Sequence, residues 1–244
     1  MKIRFHVIAF MTLTVLILAA CSKNTEIPVN PDSQSNADKV LAFIQGMGYS
    51  GSSIVDNGNA YIVAGDVRFP KNMQVPDTKI RTEQKWTGSI LTRANSQNIR
   101  IKVDPSMTSM MAEIQSAVNN WNTAEAIWLH FVVVTSTSYD ILIKDADLGT
   151  GICGQATFPS NGAAGNLVLI NKAYIANHSF SQRQRTITHE LGHTISLMHT
   201  NRPGGVRIPG TPPTDASSLM NEGQCNSGAT VLSADDKKAV QWLY

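Results

Sequence analysis

The chain has 244 residues, of which 42% are hydrophobic and 16% are charged, and its formal net charge is +2. This balance suits a globular protein with a substantial core and excludes a largely disordered chain. The net charge is too close to zero to indicate a nucleic-acid partner or a strongly acidic substrate. No repeat of the length that solenoids or propellers use is present.

The first 20 residues have the composition of a secretory signal. Lys2 and Arg4 precede an apolar run from residue 7 to residue 20, which is short for a membrane-spanning helix. The run ends in Leu-Ala-Ala before Cys21, which resembles the bacterial lipoprotein cleavage box. We therefore expect residues 1–20 to be removed, Cys21 to carry a lipid, and the protein to be anchored in the cell envelope, at the periplasmic face or the cell surface. A plain signal peptide with an incidental cysteine and a membrane anchor helix are the alternatives.

Two segments follow the signal. Residues 21–37 are polar and contain two prolines, which predicts a flexible, lipidated tether. Residues 38–90 form a small N-terminal unit, with helical spacing up to Gly46 and then alternation over 54–67 around an Asn-Gly-Asn turn. That pattern predicts a short helix and a β-hairpin.

The stretch 71–86 at the end of this unit is polar and contains Lys79 and Arg81. A processing protease could cleave after such residues. The N-terminal unit is therefore a candidate pro-segment of a zymogen.

Residues 91–244 form the main predicted domain. An alternating strand is followed by a helix that Asp104 or Ser106 can cap, and two further strands come next. These elements are predicted at 99–103, 107–121, 128–134 and 139–143. A strand–helix–strand–strand order implies an α+β fold with a mixed, mostly parallel twisted sheet and a right-handed crossover.

A Gly-rich loop is predicted over 145–166. Its Asp145 and Asp147 offer oxygen atoms that suit Ca²⁺, although a solvated loop explains them equally well. Residues 167–170 are a short apolar strand, and the neighbouring loop leaves one edge of that strand free to pair with an extended peptide.

The next helix, predicted over 181–196 with Ser179 or Ser181 as its cap, carries a metal-binding pattern. His189 and His193 are four residues apart, so a helix puts both imidazoles on one face. Glu190 lies beside them, and His199 can supply a third nitrogen if the chain turns sharply after the helix. Three neutral ligands with one open position are typical of a catalytic zinc ion.

A bare His-Glu-x-x-His match also occurs by chance on solvated helix faces that bind no metal. Two features favour the metal here. His199 has the spacing of the longer metal-binding signature, and Met220 follows in Ser-Leu-Met-Asn where a Met-containing turn belongs. A capped terminal helix is then predicted from Ser233.

The stretch 188–221, with Arg-Ile-Pro-Gly-Thr-Pro at 207–212, resembles the metzincin clan of zinc peptidases and, within it, the bacterial dual-action HEIGH-type metallopeptidases. The closing helix also looks like that of matrix-metalloproteinase relatives. The resemblance implies a zincin-like catalytic domain: a sheet above a cleft, an active-site helix and a Met-turn.

By position, the resemblance implies that His189, His193 and His199 are the zinc ligands. Glu190 matches the general base and acid. Met220 matches the turn methionine, which packs beneath the metal without binding it.

The sequence departs from the clan pattern at two positions. Ser196 stands where the pattern has Gly, so we expect a strained turn or a displaced His199, because Ser does not readily reach left-handed conformations. Glu222 stands where astacin-like members have a Tyr ligand.

A second resemblance lies upstream, in Val63-Ala64-Gly65-Asp66. Astacin-like zymogens have a similar motif, opened by Phe rather than Val, whose Asp carboxylate occupies the open zinc position. Asp66 is therefore a candidate latency ligand; alternatively, Gly65-Asp66 simply ends a strand.

Two cysteines remain, Cys153 and Cys225. In an oxidising compartment they can pair. Free thiols and zinc ligation are the alternatives, although three histidines already suffice for the metal.

These observations predict a monomeric zinc-dependent endopeptidase in which Glu190 activates a water molecule. The substrate is expected to be a protein or peptide bound as an extended strand. The alternatives are a non-catalytic, zinc-containing surface binding lipoprotein and a lipoprotein with no metal.

Overall fold

The computed structural model describes residues 34–76, 89–202, 204–223 and 225–244. The predicted signal, Cys21 and the predicted processing positions Lys79 and Arg81 lie outside these ranges. Among the described residues, no helix combines the length and apolarity that a membrane span requires.

The described residues contain six α-helices and eight strands. The helices are α1 (Asn36–Gly46), α2 (Arg93–Ser96), α3 (Met111–Asn122), α4 (Lys172–Ile175), α5 (Phe180–Thr194) and α6 (Ala234–Leu243). The strands are β1 (Ile54–Asp56), β2 (Ala60–Val63), β3 (Val67–Pro70), β4 (Ile99–Val103), β5 (Phe131–Val134), β6 (Ile141–Asp145), β7 (Gly154–Thr157) and β8 (Leu167–Ile170). Short 3-10 helices cover Gly51–Ser53 and Pro105–Met110.

All eight strands form one sheet in the order β1-β2-β3-β7-β8-β6-β4-β5. β1, β2 and β3 are antiparallel neighbours, and β7 is antiparallel to β8. The pairs β3–β7, β8–β6, β6–β4 and β4–β5 are parallel. The predicted mixed sheet of an α+β fold is therefore confirmed.

The N-terminal unit has its own apolar cluster. The α1 helix begins with a capping box between Ser35 and Asp38, which satisfies donors at the helix start. The ring of Phe69 in β3 stacks on Phe158, with ring centroids 4.9 Å apart, and Met198 belongs to the same cluster. The unit is thus packed against residues of the main domain as well as joined to its sheet.

The larger core lies between the sheet and helices α3 and α5. The indole nitrogen of Trp121 donates to the carbonyl oxygen of Thr188 at 2.8 Å, which satisfies a polar group that would otherwise be costly to bury. Arg183 and Glu113 form an ion pair at 2.6 Å. These contacts fix α5 against α3, and α5 carries two of the three predicted ligands, His189 and His193.

Two predictions about the loop over 145–166 and the strand after it are wrong. The loop contains a strand, β7, whose Gly-Gln-Ala-Thr sequence lacks the apolar alternation that predicts strands. β8 has no free edge, because β7 and β6 pair with its two sides. β7 is the strand beyond it, and β3 covers the other side of β7.

Candidate active site

The helix α5 supplies the first two predicted ligands. Its N-cap Ser179 accepts a hydrogen bond from the Gln182 amide, which satisfies one of the donors left open at a helix start. His189 and His193 lie one turn apart on the buried side, and their Nε2 atoms are 3.1 Å apart.

A tight turn after α5 positions the third predicted ligand, His199. Ser196 adopts a left-handed conformation with φ of 81°, which costs about 1–2 kcal/mol for a residue other than Gly. Its hydroxyl donates to the carbonyl of Ser89, and the Tyr244 hydroxyl donates to the carbonyl of Ile195 at 3.0 Å. The turn brings His199 Nε2 to 3.2 Å from His189 Nε2.

Asp66, from the N-terminal unit, completes the cluster. Its Oδ2 atom lies 3.0 Å from His199 Nε2 and 3.5 Å from His189 Nε2, and its Oδ1 atom lies 3.9 Å from His193 Nε2. Asp66 and the three histidines are the group of described residues that could hold a metal ion.

This donor set fits zinc. A tetrahedral ion with Zn–N bonds of about 2.0–2.1 Å places its ligand atoms about 3.3 Å apart. The Nε2 separations from His189 to His193 and His199 are 3.1 and 3.2 Å, and Asp66 Oδ2 lies on the remaining side. Three imidazoles and one carboxylate are the donor types that zinc takes.

Backbone carbonyls orient two of the imidazoles. His189 Nδ1 lies 2.9 Å from the Leu219 oxygen, and His193 Nδ1 lies 2.8 Å from the Leu197 oxygen. Because a carbonyl can only accept, both Nδ1 atoms carry the proton and both Nε2 atoms keep a lone pair for a metal. The sequence gives no signal for these partners, since any residue type supplies a carbonyl.

Burial shapes the ionisation of the cluster. It lowers the pKa of His189 and of His193, which favours the neutral form that binds metal. Burial alone would raise the pKa of Asp66, but the adjacent imidazoles of His199, His189 and His193 hold it below its usual range. Asp66 is therefore a carboxylate, as a metal ligand must be.

Met220 is buried against α5, the helix that carries His189 and His193. A Cβ placed on Gly192 of α5 would lie 2.5 Å from the Met220 sulfur and 2.9 Å from the Trp121 ring, so only Gly lets the turn approach the helix this closely. Met220 does not belong to the group that could hold a metal.

The Met-turn is held by Asp236 of α6. Its carboxylate accepts from the Ser218 hydroxyl at 2.6 Å, from the Leu219 amide at 2.8 Å and from the Ser233 amide at 3.0 Å. The sequence predicts Ser233 as a helix cap, but it does not indicate that Asp236 reaches the turn.

The family follows from comparison with known proteins. Residues 66–244 match the model of the dual-action HEIGH metallo-peptidase family. The chain belongs to this family. It is a zinc-dependent endopeptidase, and the resemblance to the dual-action HEIGH-type metallopeptidases drawn from residues 188–221 is confirmed.

No curated protein matches the chain. Two solved structures of myroilysin are similar to the chain, each with a TM-score of 0.43. The first is 17% identical, and the match covers 62% of this chain and 93% of the myroilysin chain. The second is 15% identical, and the match covers 70% of this chain and 93% of the myroilysin chain. High choriolytic enzyme 1, a hatching-enzyme zinc-protease from Oryzias latipes (medaka fish), is 16% identical and has a TM-score of 0.43. The match covers 64% of this chain and 93% of that enzyme's chain.

Glu190 of the peptidase lies against the strand β7. The side chain is 3% exposed, and its Oε2 atom has no hydrogen-bond partner among the described residues. Burial and the charge of Asp66 raise the pKa of Glu190, while the charge of Arg185 lowers it. A raised pKa suits a group that accepts and returns a proton near neutral pH.

Cys153 and Cys225 are joined by a disulfide, with Cα atoms 5.8 Å apart. The bridge links the segment that leads into β7 to the segment after the Met-turn. Both segments border the active site.

The predicted calcium ligands already have partners. Asp145 accepts from the Lys172 amide and Asp147 accepts from the Gly149 amide. Calcium binding stays a prediction.

Proposed function

We propose that His189, His193 and His199 hold the catalytic zinc ion of the peptidase and that Glu190 is its general base and acid. A bound zinc ion would lower the pKa of a coordinated water molecule to about 7 and polarise the peptide carbonyl. Glu190 would accept the proton of the attacking water and then deliver it to the leaving amine.

We also propose that the described chain is the latent form of the enzyme, with the N-terminal unit, residues 38–90, as the pro-segment. The observation that carries this proposal is the contact of Asp66 Oδ2 with the ligand nitrogens, 3.0 Å from His199 and 3.5 Å from His189. A carboxylate there occupies the coordination position that water and substrate need.

The strand β3 supports latency independently. The amides of Ala156 and Phe158 donate to the carbonyls of Asp66 and Arg68 at 2.9 and 3.0 Å. β3 thereby occupies the edge of β7, which lies beside Glu190. We propose that an extended substrate pairs with this same edge.

The test is cleavage of an unfolded protein substrate by the zinc-loaded full chain. We expect Asp66→Ala to raise the activity and cleavage after Arg81 to raise it further, because β3 still covers the edge of β7 in the uncleaved variant. Glu190→Ala in the same background should abolish the activity. Asp56→Ala is the matched control, because Asp56 is exposed and contacts Lys71 and the Gly58 amide of the same unit, and it should leave the activity unchanged.

Three outcomes decide between the hypotheses. Unchanged activity in Asp66→Ala, in an assay in which cleavage after Arg81 activates the parent chain, would refute latency through Asp66. Bound zinc without activity in Asp66→Ala, and also after cleavage beyond Arg81, would favour the non-catalytic binding lipoprotein. Absence of bound zinc in every sample would refute the ligand assignment.

We propose that the peptidase is an exported, monomeric lipoprotein anchored through Cys21. The support is the sequence of residues 1–21, in which an apolar run ends at a cysteine in a lipoprotein-like context. Mass spectrometry of the envelope-bound protein should find a lipid on Cys21, and Cys21→Ser should release the protein from the membrane fraction.

A further inference from the structure

His199 differs from the other two proposed ligands in the contacts of its outer ring nitrogen. His189 and His193 each have a backbone carbonyl at Nδ1. His199 is fully buried, yet its Nδ1 atom has no hydrogen-bond partner among the residues that the structure describes. Because an unpaired buried polar atom is costly, the third imidazole needs an acceptor of the kind that the other two already have.

The carboxylate of Glu222 lies next to this nitrogen. Its Oε2 atom is 3.6 Å from His199 Nδ1, which is longer than a hydrogen bond but too short for a bridging water molecule. Glu222 does not belong to the group of described residues that could hold a metal ion. Its carboxylate therefore contacts the outer nitrogen of the ring rather than the metal position.

The segment that carries His199 also holds Glu222 in place. The side-chain oxygen of Asn201 accepts from the Glu222 amide at 2.9 Å, and the side-chain amide of Asn201 donates to the Glu222 carbonyl at 3.2 Å. The Nε atom of Arg202 donates to Glu222 Oε2 at 2.7 Å. Asn201 and Arg202 follow His199 by two and three residues, so the carboxylate and the imidazole are fixed to one another.

The position of the ring proton accounts for the gap of 3.6 Å. His199 Nε2 lies 3.0 Å from Asp66 Oδ2, and a carboxylate can only accept, so the proton between them is on Nε2. A neutral ring in this tautomer presents a lone pair at Nδ1, and two acceptors with no proton between them stay apart. To bind zinc, Nε2 must offer its lone pair, and the proton of the neutral ring is then on Nδ1. Glu222 Oε2 is the acceptor beside it.

We propose that Glu222 is the positioning residue of the third ligand and accepts a hydrogen bond from His199 Nδ1 in the zinc-bound protein. The inference rests on the proposed zinc ligands. A charge-assisted bond of this kind is about 2.7–2.9 Å long, so the two atoms must approach by about 0.7–0.9 Å from their present 3.6 Å. A carboxylate at the outer nitrogen orients the ring and raises its basicity, and loss of such a partner typically weakens metal binding about 10- to 100-fold.

Zinc affinity tests the inference without any turnover. The full chain with Asp66→Ala is the parent, and zinc binding is measured by competition with a chromophoric chelator. We expect Glu222→Ala to weaken zinc binding about 10- to 100-fold. Glu222→Gln should recover part of this loss, because an amide oxygen still accepts from Nδ1 although it carries no charge.

Arg202→Met is the matched control, because it removes the ion pair of Glu222 but leaves the carboxylate beside His199. The Arg202 side chain is 55% exposed, and exposed ion pairs contribute little, so zinc affinity should stay within about fivefold of the parent. A loss as large as that of Glu222→Ala would refute the inference, because the ion pair would then be what supports the site.

Proton NMR of the zinc-loaded proteins gives a signature that a merely structural role would not move. The Nδ1 proton of His199 should resonate far downfield in the parent, shift upfield in Glu222→Gln and exchange with solvent in Glu222→Ala. The Nδ1 protons of His189 and His193 should keep their positions, since both are bonded to carbonyls.

Two further outcomes separate this inference from the proposed function. Tight zinc binding by the parent, with the same affinity in Glu222→Ala or with an unmoved His199 signal in Glu222→Gln, would refute the role of Glu222 alone. Absence of bound zinc in the parent would refute the ligand assignment and, with it, this inference.

Discussion

The approach of β7 to Glu190 leads to a quantitative prediction for Gly154→Ala. A Cβ at Gly154 would lie 2.6 Å from Glu190 Cγ, 2.7 Å from Oε1 and 2.8 Å from Cδ, whereas ordinary contacts begin at 3.4 Å. The carboxylate must therefore retreat by 0.6 to 0.8 Å, the difference between these distances. A misplacement of about 1 Å can cost about 100-fold in rate, so we expect kcat/KM to fall about 10- to 100-fold.

The loss should be confined to catalysis. The methyl group meets the end of a side chain rather than the backbone, and the three histidines are untouched. We therefore expect bound zinc and the unfolding temperature to stay as in the parent protein.

The assay is cleavage of an unfolded protein by Gly154→Ala in the Asp66→Ala background, with zinc content measured on the same samples. Gly51→Ala is the matched control, because a Cβ at Gly51 meets no atom within 4 Å. Full activity of folded, zinc-loaded Gly154→Ala would refute the argument that β7 positions Glu190.

Further predictions concern stability. The histidines beside Asp66 hold its pKa below 3.8, so at lower pH the unfolded state binds more protons than the folded state. The free energy of unfolding of the metal-free protein should therefore fall as the pH drops below 3.8, and constancy in urea titrations would contradict this. Replacing Cys153 and Cys225 by Ser opens a link across a sequence separation of 72 and should cost at most about 4 kcal/mol in the same titrations. Asp236→Asn places a donor against the turn amides and should cost about 1–3 kcal/mol, with weaker zinc binding; unaltered zinc affinity would show that the Met-turn does not depend on Asp236.

The sequence was sufficient to predict the parts of the site that depend on local spacing. His189 and His193 follow from helical periodicity, and the helix begins at Ser179, one of the two predicted caps. The turn to His199 was predicted as strained, and Ser196 indeed has a positive φ. The helix and its cap depend on interactions within a few residues along the chain, whereas the contacts of the turn with Ser89 and Tyr244 do not.

The sequence could not predict the contacts between distant segments. β7 forms because β8 and β3 pair with its two sides, not because Gly-Gln-Ala-Thr favours a strand. Asp236 reaches the Met-turn and Arg185 reaches the carbonyl of Leu219 only after α5 and α6 have packed. Neither residue has a distinguishing pattern along the chain.

The pairing of β3 with β7 also bears on solubility. An unpaired strand edge is a template for association with other chains, and in the described chain β3 covers that of β7 while Phe69 covers the ring of Phe158. Loss of the N-terminal unit would uncover both at once. The edge of β7 on which the active enzyme is proposed to bind an extended peptide would then also be open to pairing between two activated copies. The N-terminal unit therefore protects the protein from self-association for as long as it remains in place.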